Sequence, residues 1–190
     1  MKLKLDHFGW LAPLYEHFIP PRLPEKMLEL LNLSGEESVL DAGGGTGRLA
    51  QYVQGRAARV VIADESQAMM EQAGAKGGLA PVRTHTEHLP FAPQTFERIM
   101  MVDALHHVSN QAETALELWR ILKPGGRLVI EEPNIQASSV KWIALAEKLA
   151  LMRSHFLSGA EIQNLFQPTD SQMHLLVDGP TLWVVVDKPA

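Results

Sequence analysis

Val39-Leu40-Asp41-Ala42-Gly43-Gly44-Gly45-Thr46-Gly47-Arg48-Leu49-Ala50 is the stretch whose reading decides the fold. A short apolar run ends in an acid, crosses four glycines within five residues and enters a segment with helical spacing of apolar side chains. This is how a strand, a tight turn and a helix start are written when a small molecule must lie against backbone. The spacing then narrows the ligand. A dinucleotide fingerprint starting at Gly43 and Gly45 needs its third glycine at 48, where the chain has Arg48. A phosphate-binding P-loop ends in Gly-Lys-Ser/Thr, which does not occur here. What remains is Asp-x-Gly-x-Gly-x-Gly on Asp41, Gly43, Gly45 and Gly47. The plainer alternative is an ordinary glycine-rich turn after a strand.

Composition bounds the rest. A chain of 190 residues that is 46% hydrophobic has the length and apolar content of one globular domain with a full core. A formal net charge of −5 gives no basic footprint, which weighs against DNA or RNA as a partner without excluding a local patch. With no cysteine, disulfides, thiolate metal sites and a cysteine nucleophile are excluded. The start, Met1 to His7, lacks the apolar core of a signal peptide, and no apolar run reaches the roughly 20 residues of a membrane span. A cytoplasmic protein without stable membrane insertion is expected, with its oligomeric state left open.

Along the chain, Phe8, Trp10, Tyr15 and Phe18 crowd an N-terminal segment interrupted by Pro13. Pro24 then sits where a first-turn proline belongs, opening a short helix to about Leu33. Strands are expected at Ser38–Asp41, Arg59–Ala63 and, weakly, Ala80–Thr84, with a helix at Arg48–Gln54. Ser66 is placed to cap the helix after the second strand. Phe96–Val102 is nearly continuous in apolar residues, as buried parallel strands are. Asn110 with Glu113 starts a helix whose buried face is Ala115, Leu118, Trp119 and Leu122. Lys123-Pro124-Gly125-Gly126 reads as a turn before a strand at Arg127–Glu131. Trp142, Leu145, Leu149, Met152 and Phe156 form an apolar helix stripe, either core or pocket wall. Ser158-Gly159-Ala160-Glu161 is a capping box, and strands at Ser171–Val177 and Thr181–Asp187 close the chain as a hairpin.

The glycine motif resembles the first motif of class I S-adenosylmethionine (SAM) dependent methyltransferases, specifically the small "type 11" enzymes similar to those of quinone biosynthesis. Further segments agree with that resemblance. They are Asp64-x-Ser66-x-x-Met69 after the second strand, His85-Thr86-Glu87-His88-Leu89-Pro90-Phe91, Leu105-His106-His107-Val108 and Leu122-Lys123-Pro124-Gly125-Gly126-Arg127-Leu128. The resemblance implies an α/β, Rossmann-like three-layer sandwich. Its sheet has seven mostly parallel strands in the order 3-2-1-4-5-7-6, with a C-terminal antiparallel hairpin. The domain is expected to span 1–190, with 1–33 as an N-terminal lid and helix region and 34–190 as catalytic core. The aromatic segment is either that lid or an arm against the core edge.

The resemblance implies SAM as cofactor, with S-adenosylhomocysteine as product. It would be held by Asp41, Gly43, Gly44, Gly45, Asp64, Glu65, Met69, His85, Thr86 and Val102. Asp64 lies 21 residues beyond Gly43, where doubly wound folds place the acid that meets ribose hydroxyls; a helix-capping role is its plainer reading. His85 stands where the family has an adenine-contacting acid, so it either accepts from adenine as neutral imidazole or faces solvent. Asp103, His106 and His107 follow the central strand and are the candidate catalytic groups, or they orient the loop. The acids of Glu131-Glu132-Pro133-Asn134 are expected to line a pocket, and no metal is expected. The function expected is methyl transfer to a small-molecule acceptor, mainly by in-line positioning. A non-catalytic binding protein of the same fold and an NAD-dependent oxidoreductase are the alternatives.

Overall fold

Strands rich in Val, Ile and Met, separated by helices, pair in parallel because each crossover returns the chain to the same end of the sheet. The computed structural model describes residues 24–137, 140, 154–167 and 169–190. In chain order the elements are α1 (Glu25–Leu31), β1 (Ser38–Ala42), α2 (Ala50–Val53), β2 (Arg59–Asp64), α3 (Gln67–Ala75), β3 (Ala80–Arg83), β4 (Phe96–Val102), a 3-10 turn at Leu105–His107, α4 (Gln111–Ile121), β5 (Leu122–Pro133), α5 (Gly159–Phe166), β6 (Gln172–Asp178) and β7 (Thr181–Asp187). The seven strands form one sheet in the order β3-β2-β1-β4-β5-β7-β6. β1 to β5 run parallel, while β7 is antiparallel to both β5 and β6. Fold and strand order are those implied by the resemblance.

Alternation along the strands builds two cores, one on each face of the sheet. Leu40, Val61, Ile99, Met101, Leu128 and Val184 meet α4 and α5 through Leu118, Ile121, Ile162 and Phe166. Val39, Val60, Ile62, Met100 and Val129 meet α1, α2 and α3 through Met27, Leu31, Val53, Met70 and Ala73. All three caps read from sequence form: Ser66 accepts from Met69, Asn110 from Glu113, and Ser158 with Glu161 makes the full capping box.

Three local readings differ. The helix after the glycine turn is α2, Ala50–Val53, and starts later than Arg48 because Gly47 at φ +75° still belongs to the turn. The Lys123–Gly126 segment is absorbed into a longer β5, with Gly125 at φ +72°. Its backbone continues pairing there: Gly125 N donates to the Lys188 carbonyl and Lys188 N to that of Gly126. In α4 the fully buried face is Thr114, Ala115, Leu118 and Ile121; Trp119 is only partly covered, with the Lys188 ammonium 4.6 Å above its ring. The aromatic lid segment and the stripe from Trp142 to Met152 lie outside the described residues.

Candidate active site

The C-terminal ends of β1, β2 and β4 open into one cleft, where open α/β sheets bind ligands. All ten residues expected at the cofactor line it: Asp41, Gly43, Gly44, Gly45, Asp64, Glu65, Met69, His85, Thr86 and Val102. Asp103 and His107 line it as well. His106 does not; it is 4% exposed and turned under the loop.

The glycine turn owes its composition to neighbours as much as to ligand. Gly43 is at φ +71°, and a Cβ there would stand 2.6 Å from the Ala104 Cβ on the loop after β4. A Cβ on Gly47 (φ +75°) would come within 2.7 Å of Ile62 Cδ1. At Gly45 only Met69 Sδ, 3.8 Å away, approaches, so a side chain there would project into the cleft. The turn is held by Gly43 N donating to the Ala63 carbonyl at 2.7 Å and Gly45 N to Asp64 Oδ2 at 3.0 Å. Asp64 Oδ1 accepts from Ser66 N at 2.9 Å, so this acid braces both loops that border the cleft.

Asp41 closes the floor. Its side chain is 2% exposed, and among the described residues its Oδ2 has no hydrogen-bond partner. Burial, with the Asp64 carboxylate nearby, lifts its pKa to about 7 against the opposing pull of Arg48. Arg48 Nη1 is likewise buried without a partner among the described residues. An orphaned buried oxygen carries a desolvation cost, which a ligand donor or cation would relieve. The arrangement therefore fits a ligand with a cationic end over Asp41 and hydroxyls near Asp64.

At the far mouth, His85 Nδ1 lies 2.9 Å from Glu65 Oε2, with both side chains more than half exposed. Two residues expected separately at the cofactor thus form a pair. Thr86 is buried and shares a hydrogen bond with Thr114 at 3.1 Å.

Asp103 sits where the cleft meets a second cavity, which it shares with Arg48, Leu49 and Val102. Met27, Glu131, Thr181 and Trp183 are among that cavity's other wall residues. Asp103 has φ +49°, a left-handed conformation that Asp tolerates better than most residues, and its N–H donates to the Glu131 carbonyl at 3.0 Å. Burial and the adjacent His106 press the His107 imidazole down to about 3, so it is neutral at physiological pH. Glu131 and Glu132 separate as neighbours on a strand must: Glu131 lines the second cavity, whereas Glu132 turns under the 104–106 loop and lines neither space. Among the described residues no three His, Asp or Glu side chains converge to hold a metal ion. No helix among them is long and apolar enough to cross a membrane.

Residues 40–130 match the family model described as Methyltransferase domain. That stretch, from β1 into β5, is a match to the class I SAM-dependent methyltransferases. Among the chain's relatives is the Ubiquinone/menaquinone biosynthesis C-methyltransferase UbiE of Haemophilus ducreyi, 34% identical over 106 residues. That match covers 50% of this chain and 41% of UbiE, so the chain spans less than half the length of the curated relatives it matches. A SAM-dependent methyltransferase from Aquifex aeolicus superposes with a TM-score of 0.75 at 19% identity, covering 94% of this chain and 97% of that one. Geranyl diphosphate C-methyltransferase from Streptomyces coelicolor, crystallised with S-adenosyl-L-homocysteine, gives 0.71 at 17% identity, covering 85% and 73%. At those identities the likeness establishes the fold alone.

Arg48 was not picked out as a functional residue from sequence. Its signal was present all the same: a long cation stands where a dinucleotide turn would require glycine.

Proposed function

We propose that this methyltransferase binds SAM in the cleft above β1, β2 and β4 and methylates a small-molecule acceptor admitted through the second cavity. The observation that carries this reading is the buried, unpartnered Oδ2 of Asp41 at the floor of a cleft that also collects the glycine turn and Asp64. Asp41 would receive the cationic amino-acid end of the cofactor, Asp64 the ribose hydroxyls, and the Glu65–His85 pair would border the adenine with Thr86 and Met69. SAM, when bound, supplies a methyl group made electrophilic by its sulfonium.

The chain's own task is mainly to align and enclose. Asp103, at the junction of the two spaces, orients the acceptor, and its carboxylate would take the proton where one must leave. His107 serves as a neutral hydrogen-bonding wall. A group with a pKa near 3 is a weak base at neutral pH, so proton abstraction is not its role. His106, buried under the loop, acts on the site only through its neighbours. Val102 and Leu49 supply the apolar surface that keeps water from the line of transfer.

Calorimetry of the purified protein with SAM, S-adenosylhomocysteine and NAD tests the cofactor assignment. A labelled-methyl screen over metabolite pools then identifies the acceptor, beginning with quinols because of the name carried by UbiE. Binding of NAD in preference to both sulfur nucleosides would refute the reading. Tight SAM binding with no methylated product would instead favour a non-catalytic binding protein.

A further inference from the structure

We propose that Glu132, at the end of β5, is a positioning residue of this site: acting through His106, it fixes the ring of His107 on the cleft wall near Asp103. The inference rests on the methyltransferase reading above and extends it to a residue that touches neither cavity.

Glu132 is 3% exposed, and its carboxylate's hydrogen bonds among the described residues all go to the loop after β4. Oε1 accepts from Ala104 N at 3.0 Å and Leu105 N at 2.8 Å, and Oε2 lies 2.6 Å from His106 Nδ1. Two backbone donors alone would be satisfied by a neutral carbonyl oxygen, without the desolvation cost of a buried acid. The second oxygen requires a donor at Nδ1, and so sets the proton on that nitrogen of His106 and the plane of its ring.

That ring in turn leaves His107 little freedom. It stacks on Phe156 with centroids 4.5 Å apart at 14°, and the His107 ring lies against it at 3.9 Å and 47°. Residues 154–156 close the assembly from outside. His155 N donates to the His106 carbonyl at 2.7 Å, and Gln111 Nε2 bridges the carbonyls of Leu105 and His155 at 3.0 and 2.7 Å. Ser154 Oγ stands 3.3 Å from His107 Nδ1. Glu132, His106 and His107 thus form a chain of contacts from the sheet to the cleft wall, clamped between the loop after β4 and the segment entering α5 (Gly159–Phe166).

Glu132→Gln is the decisive substitution. Its single carbonyl oxygen can retain both backbone donors, which leaves its amide group facing His106 Nδ1. His106 must then move its proton to Nε2, or turn.

Nitrogen-15 NMR of the histidine side chains is expected to show Nδ1–H on His106 in the wild type. In Glu132→Gln that tautomer inverts and the His107 resonances shift. By calorimetry, SAM and S-adenosylhomocysteine should bind within about threefold of wild type. Turnover on the acceptor found by the labelled-methyl screen should fall by about 10- to 100-fold with KM for SAM unchanged. His106→Phe keeps a ring against Phe156 but removes the N–H, and should lose turnover to the same degree. It also provides the test if Glu132→Gln fails to fold.

Unchanged His107 resonances in either folded variant, or wild-type turnover in either, would overturn the proposal. A wild-type protein that binds neither SAM nor S-adenosylhomocysteine would overturn the proposed function, and the role assigned to Glu132 with it, even where the imidazole signals respond.

Discussion

Replacing Asp41 with asparagine should stabilise the protein at neutral and alkaline pH while weakening its grip on SAM. Asp41 is buried, its Oδ2 is unpartnered, and its pKa in the fold is raised to about 7 from an ordinary 3.8. Below about pH 4 the group is protonated in folded and unfolded chains alike and contributes no difference. From there to about pH 7 the unfolded chain releases the proton and the folded one keeps it, so stability falls as pH rises. Above pH 7 the loss is complete, at about 4 kcal/mol for a shift of this size.

Asparagine fills the same space without the charge, but its amide still needs partners, so a gain of roughly 2–4 kcal/mol at pH 8 is expected. Near pH 4 the gain should be close to zero. Urea denaturation of both proteins between pH 4 and 8 measures it directly. For SAM the sign is opposite: losing the carboxylate should weaken binding by about 10- to 100-fold at pH 8, the scale of a charge-assisted contact. In the wild type, binding at pH 6 should release a proton, read as a dependence of the calorimetric heat on buffer. A stability difference that does not grow with pH, or an asparagine variant that binds SAM like the wild type, would refute the assignment of Asp41 as a charge held in reserve for the ligand.

Gly43→Val should abolish SAM binding and destabilise the fold by about 2 kcal/mol or more, since even its Cβ would overlap Ala104; urea melts and calorimetry check both. Asp64→Ala should weaken SAM binding by about 1–3 kcal/mol and also speed amide exchange at Gly45 and Ser66, whose N–H groups lose their acceptor. At Asp103, alanine should cost about 1 kcal/mol because the residue sits at positive φ, whereas asparagine should be nearly neutral in a thermal melt. If alignment is the main source of rate, Asp103→Asn retains turnover within about tenfold, and a loss of 100-fold or more would instead make Asp103 a general base.

The sheet was legible in the sequence because the signals are local and redundant. The acid and glycines from Asp41 to Gly47, the cap at Ser66 and the apolar run Phe96–Val102 each constrain backbone within a few residues. That the expected residues gather at one cleft followed for the same reason, since they lie at or just beyond strand ends. What sequence left open depends on side-chain direction at sites of irregular backbone. His106 and His107 are adjacent and chemically identical, and only the 3-10 turn with the buried Glu132 sends one inward and leaves the other at the cleft. Glu131 and Glu132 looked like one acidic pair until the pleat separated them. The Glu65–His85 contact joins two loops that no spacing rule connects. The longer β5 depends on backbone pairing with Lys188, more than sixty residues along the chain.

The position of β7 bears on how the protein is made. Residues 181–187 insert between β5 and β6, with Leu182 to Val186 all buried. While a ribosome still holds that segment, β5 presents an unpaired edge carrying Leu128, Val129 and Ile130, and β6 has no neighbour in the sheet. The half built from β1 to β4 can be assembled by then, but its flank is an open template for another nascent chain. Translation arrest or truncation before residue 181 would therefore be read out as aggregation and chaperone dependence rather than as a smaller working enzyme.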